Sequence, residues 1–266
     1  MNINILALGD IVGERGTGYI CRPGFLSSLK KEYGVSFVVA NGENSAKGNG
    51  LTPDSASALF DAGVDVITGG NHTWQKSNVY SMLDDDERLL RPANFPGAAP
   101  GHGSALFDVS GVRVLVFNLS GNAFMTEPVA SPFEWADKIL KEQAGKYDIS
   151  VLDFHAEATS EKLAFAHHFD GRLTAVVGTH THIQTADEQL LPKGTAYITD
   201  LGMVGAENSI LGMAIEPVIN RFITGRPSKF EVAEGAALYC AVLIETDDKT
   251  NKPVKIERIQ IKESRR

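Results

Sequence analysis

Two imidazoles one residue apart, His180 and His182, follow the hydrophobic run 173–177 and Gly178. β-branched residues cluster in that run and a glycine ends it, which predicts a buried strand over 173–178. Open α/β sheets hold their ligands just beyond the carboxyl ends of such strands. Neutral imidazole is also the commonest protein metal ligand, suited to Zn, Fe, Ni or Cu. Alone, the pair reads equally well as two polar loop residues. The pattern recurs, however. Gly9-Asp10 closes a predicted strand over 3–8, Asn41-Gly42-Glu43-Asn44 one over 35–40, and Gly69-Gly70-Asn71-His72 one over 64–68. His155 closes another over 148–154. Turn chemistry or a satisfied core histidine would explain each of these singly. Together, five strand ends deliver Asp10, Glu43, Asn44, Asn71, His72, His155, His180 and His182. If the strands lie parallel in one sheet, these residues share one crevice.

Seven or eight nitrogen and oxygen donors are too many for one tetrahedral zinc. They suit two ions roughly 3.5–4 Å apart, with a carboxylate able to bridge them. The absence of a thiolate favours Fe, Mn or Zn over a soft metal. Two divalent ions set against Asp, Glu and one hydroxide leave a slightly positive centre, and such a centre attracts phosphate. The remaining three of the seven histidines, His102, His167 and His168, have no such setting and are expected on the surface or in a helix.

The elements that must position these groups alternate as short apolar strands and amphipathic helices through the first two-thirds of the chain. Helices are expected at 19–33, 53–62, 131–145 and 158–169. Thr52 caps the second, with Pro53 at its first position. Ser131, Pro132 and Glu134 form a capping-box pattern at the third. Ser110-Gly111 reads as a hairpin turn between strands at 104–109 and 112–118. Beyond 190 the chain turns strand-rich, with 194–199, 229–233, 236–245 and 254–262, and a helix at 213–225. A single α/β domain over 1–266, with one mixed sheet or two, accounts for hairpins beside βαβ alternation.

The 266 residues carry a net charge of −8, and 43% are hydrophobic. No Lys/Arg block supplies a footprint for duplex nucleic acid, and Arg265-Arg266 reads as a solvated tail. Cys21 and Cys240 suggest neither a disulfide framework nor a Cys-type zinc site. No basic leader segment or membrane-length apolar run is present, so the expected location is cytoplasmic, away from membranes.

Gly9-Asp10, Gly70-Asn71-His72, His155 and 178–182 resemble the ordered blocks of the calcineurin-like metallophosphoesterase superfamily. Asn41-Gly42-Glu43-Asn44, the Arg91-Pro92-Ala93-Asn94-Phe95-Pro96 block, 153–162 and Thr199-Asp200-Leu201-Gly202-Met203 are more closely similar to the bacterial YmdB-like phosphodiesterases. Two departures from the superfamily fit this narrower branch: Asp10 is followed by Ile11-Val12 rather than x-His, and Glu43 stands where the superfamily has Asp.

The resemblance implies a four-layer α/β/β/α sandwich, two mixed sheets flanked by helices. It implies Asp10, Glu43, Asn44 and His182 around a first metal. Glu43, Asn71, His155 and His180 would surround the second, both ions being Fe or Mn with Zn an alternative. It further implies in-line attack of a metal-bridging hydroxide on a 2′,3′-cyclic nucleotide, with His72 as general acid. Trp74 is a candidate base-stacking residue, Lys47 a candidate phosphate contact, and Asp200 a candidate support for a ligand histidine. Hydrolysis of phosphomonoesters and a catalytically silent, metal-binding regulatory role are the alternatives; homo-oligomerisation stays open.

Overall fold

The computed structural model describes residues 2–47 and 49–263; the predicted Arg265-Arg266 tail lies outside them. The chain starts one sheet with β1 (Asn4–Leu8), β2 (Asp10–Ile11), β3 (Phe37–Asn41) and β4 (Val66–Thr68). It builds a second from β5 (Ser104–Val109), β6 (Val112–Ser120), β7 (Ile149–His155), β8 (Ala175–Thr179), β9 (Gln189–Leu190) and β10 (Ala196–Ile198). It then returns to the first with β11 (Met203–Ala206), β12 (Ala237–Thr246) and β13 (Pro253–Lys262). β1, β3 and β4 run parallel, as do β6, β7, β8 and β10, while β12 is antiparallel to β1, β11 and β13.

The two-residue period of the strands separates three cores. Ile5 and Ala7 of β1 face Val114 and Val116 of β6 between the sheets. Leu6 and Leu8 turn the other way, towards α1 (Gly13–Ile20), α2 (Phe25–Glu32) and α3 (Pro53–Ala62). Leu115 and Phe117 of β6 pack beneath α5 (Pro132–Glu142) and α6 (Thr159–His168); the short α4 (Tyr80–Asp85) joins the first core. The result is the expected α/β/β/α layering with two mixed sheets. Each fully buried aliphatic side chain contributes about 1.5–3 kcal/mol to holding the layers together.

Local signals act largely as the sequence predicts. Thr52 Oγ1 accepts from the Ser55 amide, and Ser55 Oγ accepts in return from the Thr52 amide. Ser110 and Gly111, at φ 56° and 87°, form the β5–β6 turn. At Ser131 only the forward half of the box forms, the hydroxyl accepting from the Glu134 amide.

Three expectations are corrected. The helix predicted over 19–33 is two helices, because Pro23 lacks an amide hydrogen and would clash with the preceding turn. The strand predicted over 229–233 is reduced to a single bridge, Met213–Val232, because a turn rather than a strand lies beside it. The ligand-bearing strands do not share one sheet: β1, β3 and β4 belong to the first and β7 and β8 to the second. Among the described residues no helix is long and apolar enough to cross a membrane; α7 (Ile215–Thr224) has ten residues.

Candidate metal centre

The carboxyl ends of β3, β4, β7 and β8, with β2 beside them, meet where the two sheets abut. Glu43, His155 and His180 each offer a ligand atom within 4.8 Å of the others. His155 Nε2 is 3.3 Å from Glu43 Oε1, 3.1 Å from His180 Nδ1 and 3.0 Å from Asn71 Oδ1. A second group adjoins Glu43. Asp10 Oδ1 lies 3.5 Å from His182 Nε2, and the Asn44 amide nitrogen donates to Glu43 Oε1 at 3.0 Å. His72 adjoins both groups through its backbone N–H, which donates to Glu43 Oε2 at 2.9 Å.

Each imidazole is oriented from behind, as metal-ligating histidines are. Thr179 Oγ1 donates its one proton to Asp153 Oδ1 (2.6 Å) and so accepts from His155 Nδ1 (3.0 Å), turning Nε2 to the centre. Asp153 is held in turn by Asn41 and Thr68. His182 Nδ1 donates to the Leu211 carbonyl at 3.0 Å, freeing Nε2 for the Asp10 side. His180 reverses the pattern: Nε2 pairs with Glu157 at 3.1 Å and Nδ1 faces His155.

Both His180 and His182 have positive φ, 101° and 63°, an unusual backbone for residues with a side chain. The loop that carries them is clamped from below. Buried Lys162 donates to the Thr179 carbonyl and to Asp200 Oδ2, both at 2.8 Å, and Asp200 also accepts from the Thr181 and Gly202 amides. Asp200 thus supports the histidine loop through its backbone and not through an imidazole ring.

Three observations test whether metal ions fit. Asp10 Oδ1 and Asn44 Oδ1 are buried acceptors without a hydrogen-bond partner, a costly arrangement that a cation would relieve. A Cβ at Gly70 would lie 2.3 Å from Glu43 Oε2 and 2.4 Å from His155 Nε2, so the glycine keeps a small space open between the donors. The field is cation-seeking. Burial disfavours charge on His155, yet Glu43, Asp10 and Asp153 raise its pKa to about 9, and Asp10 likewise raises buried His182 to about 9. Burial opposes ionisation of Asp10, but His182 and His155 bring it down to about 2. A pocket that holds protons on two buried imidazoles offers the same attraction to a divalent ion, which competes with those protons. The residues present fit a metal ion, with Glu43, His155 and His180 as a candidate ligand cluster.

All seven predicted ligand residues and His72 therefore lie together. The candidate substrate residues stand apart from them. Trp74 packs its ring 4.6 Å from Phe95 and donates its indole N–H to Pro100 O. Lys47 lines a neighbouring cleft. His102, His167 and His168 are exposed, as expected. The residues that sequence reasoning passed over are the supports: Asn41, Thr68, Thr179, Glu157 and Lys162. All but Thr68 sit inside the motifs given above, and for Thr179 and Glu157 nearness to a histidine was the available signal. Arg91 and Asn94 of another quoted block are structural, bonding the carbonyls of Pro92, Ala93, Gly101, Ser120 and Ala130.

The model of a family described as YmdB-like protein matches residues 6–259. A 2′,3′-cyclic-nucleotide 2′-phosphodiesterase of Bacillus subtilis is 48% identical over 259 residues, 97% of each chain. The crystal structure of a novel phosphatase from Mycoplasma pneumoniae superposes with a TM-score of 0.92 at 36% identity, covering 99% of this chain and 94% of that one. A hypothetical protein from Thermus thermophilus gives 0.91 at 40% identity over 98% and 100%.

Proposed function

The chain belongs to the YmdB-like family, and on that premise we propose that it is a dinuclear metal-dependent phosphodiesterase acting on 2′,3′-cyclic nucleotides in the cytoplasm, through a single domain. The observation that carries this reading is the position of Glu43, bonded or close to donors of both groups. Asp10, Asn44 and His182 would hold one ion, and Asn71, His155 and His180 the other, with Glu43 shared. Iron or manganese suits this mixed nitrogen and oxygen set, and zinc is the alternative. When bound, two such ions supply an activated water and neutralise charge on the phosphate oxygens.

The chain's own groups do the rest. Asp10 and Glu43, buried and acceptor-only, fix the charge at the floor of the site. His72 is anchored by its amide on Glu43, and its Nδ1 lies 3.0 Å from the Gln75 side-chain amide. As general acid it would act from the imidazolium form, passing the Nε2 proton to the departing ribose oxygen and ending as neutral imidazole, a step typically contributing about 10²–10⁴-fold. The strained five-membered ring of a 2′,3′-cyclic phosphate gives a good leaving group for one such acid.

The test is a panel with defined metal content, comparing 2′,3′-cyclic, 3′,5′-cyclic and monoester substrates. Fastest turnover of the 2′,3′-cyclic class is expected. Preference for monoesters would make the protein a phosphomonoesterase, and metal-loaded protein without turnover would make it a regulatory metal-binding protein.

A further inference from the structure

Two clefts flank Lys47. One, of about 820 Å³, runs past Gln75 and Lys76 and has no aromatic lining. The other, of about 830 Å³, is bounded by Arg15, Lys47, Asn49, Met213 and Phe230. Two of its walls begin at candidate metal ligands and a third beside a residue bonded to one. Arg15 lies five residues beyond Asp10, and Lys47 and Asn49 lie three and five beyond Asn44. Met213 is two beyond Leu211, whose carbonyl accepts from His182. The fourth wall, 229–234, is fastened to these: Ala233 donates to Gly212 O and Ala214 to Glu231 O, both at 2.8 Å, while Gly13 donates to Asn44 O at 2.7 Å. A Cβ on Gly13 would meet Val232 at 2.7 Å, so this wall presses directly on the segment that leaves Asp10.

Cleft chemistry suits an uncharged planar group. Its acidic side chains match its basic ones in number, and Arg15 is already paired with Glu234 at 2.6 Å. A further phosphate finds no surplus cation there. Phe230 supplies an apolar face, 38% exposed, with the Arg221 guanidinium 5.2 Å from its ring centre. Asn49 offers an amide that can both donate and accept at a base edge. Trp74, the aromatic candidate offered by the sequence, is engaged by Phe95 and Pro100.

Resting on the proposed phosphodiesterase reading, we infer that this cleft is the nucleobase subsite, with Phe230 the stacking and specificity-determining residue. Stacking on one aromatic contributes about 1–3 kcal/mol per base, or about 5- to 150-fold.

The experiment compares adenosine 2′,3′-cyclic phosphate with glycerol 1,2-cyclic phosphate, which has the same reacting ring and no base. In metal-loaded Phe230→Ala, kcat/KM for the nucleotide should fall at least about 5-fold, mostly through KM. The glycerol substrate should change less than twofold, and Phe230→Tyr should restore the nucleotide rate. Equal losses on both substrates, or no loss on either, overturn the assignment. So does the same split in Phe124→Ala, whose exposed ring lies on the loop after β6. If the wild type turns over neither cyclic diester, the phosphodiesterase reading falls and the subsite falls with it; loss confined to the nucleotide in a variant speaks to the subsite alone.

Discussion

Removing the Lys162 ammonium should cost more than any surface change in this protein. Its Nζ lies 2.8 Å from both Asp200 Oδ2 and Thr179 O, and the side chains of the pair are 1% and 0% exposed. Lys162→Met keeps the aliphatic stem and deletes only the charge. Asp200 then remains a buried carboxyl group without its cation partner, held by the amides of Thr181 and Gly202 alone. Breaking a buried pair in this way costs about 3–5 kcal/mol, against a total stability of about 5–15 kcal/mol for a folded domain. The charge-removing double variant Lys162→Met/Asp200→Asn should recover a large part of that loss, since the stranded carboxyl group is gone. Urea unfolding of the four proteins of the cycle, at unchanged m, reads the coupling directly.

The clamp also predicts weaker metal binding, because Thr179 and Thr181 flank His180. Calorimetric titration with Mn²⁺ at a temperature where Lys162→Met is fully folded should show reduced affinity. A loss below about 1 kcal/mol, or strict additivity in the cycle, refutes the reasoning. Reduced stability with unaltered metal affinity refutes the link to the histidine loop.

Gly70→Ala should abolish metal retention, measured by elemental analysis after purification, because its Cβ would stand within 2.4 Å of two donor atoms. His72→Ala should lower kcat by about 10²–10⁴-fold while metal content stays at the wild-type value. Glu43→Gln should eliminate hydrolysis and reduce bound metal, since one neutral amide cannot serve both donor groups; full activity in this variant would contradict the two-ion arrangement. Chelation should lower the melting temperature, and added Mn²⁺ should restore it, as binding to the native state alone stabilises that state.

Strand ends were readable because they combine a β-branched run with a polar stop, as in 173–182, and their chemistry recurs along the chain. What escaped was pairing. β2 and β11 have two and four residues, too few for a periodic signal, yet β2 carries Asp10. The placing of β2 and its Asp10 with β1 in the first sheet depends on β12, which joins β1 to β11 over a long sequence separation. The supports of the histidines read as ordinary strand or helix residues. Thr179 is β-branched like its neighbours, and Lys162 looks like any helix-surface charge until its burial is seen.

The position of β12 has a consequence for how the molecule is made. Leu8 aligns with Ala241, and Ala206 with Ala237, so β1, which leads into Asp10, and β11, which pairs with β2, are both held by β12, more than two hundred residues beyond β1. Every candidate metal ligand has been synthesised by His182, but their scaffold is incomplete until β12 has emerged. At about 5–20 residues per second, that leaves several seconds in which acidic and imidazole groups are displayed on a chain without its central antiparallel strand. Contacts of such long sequence separation also close slowly. With the ligand set proposed above, metal capture is expected to await arrival of the C-terminal hairpin rather than completion of the ligand set.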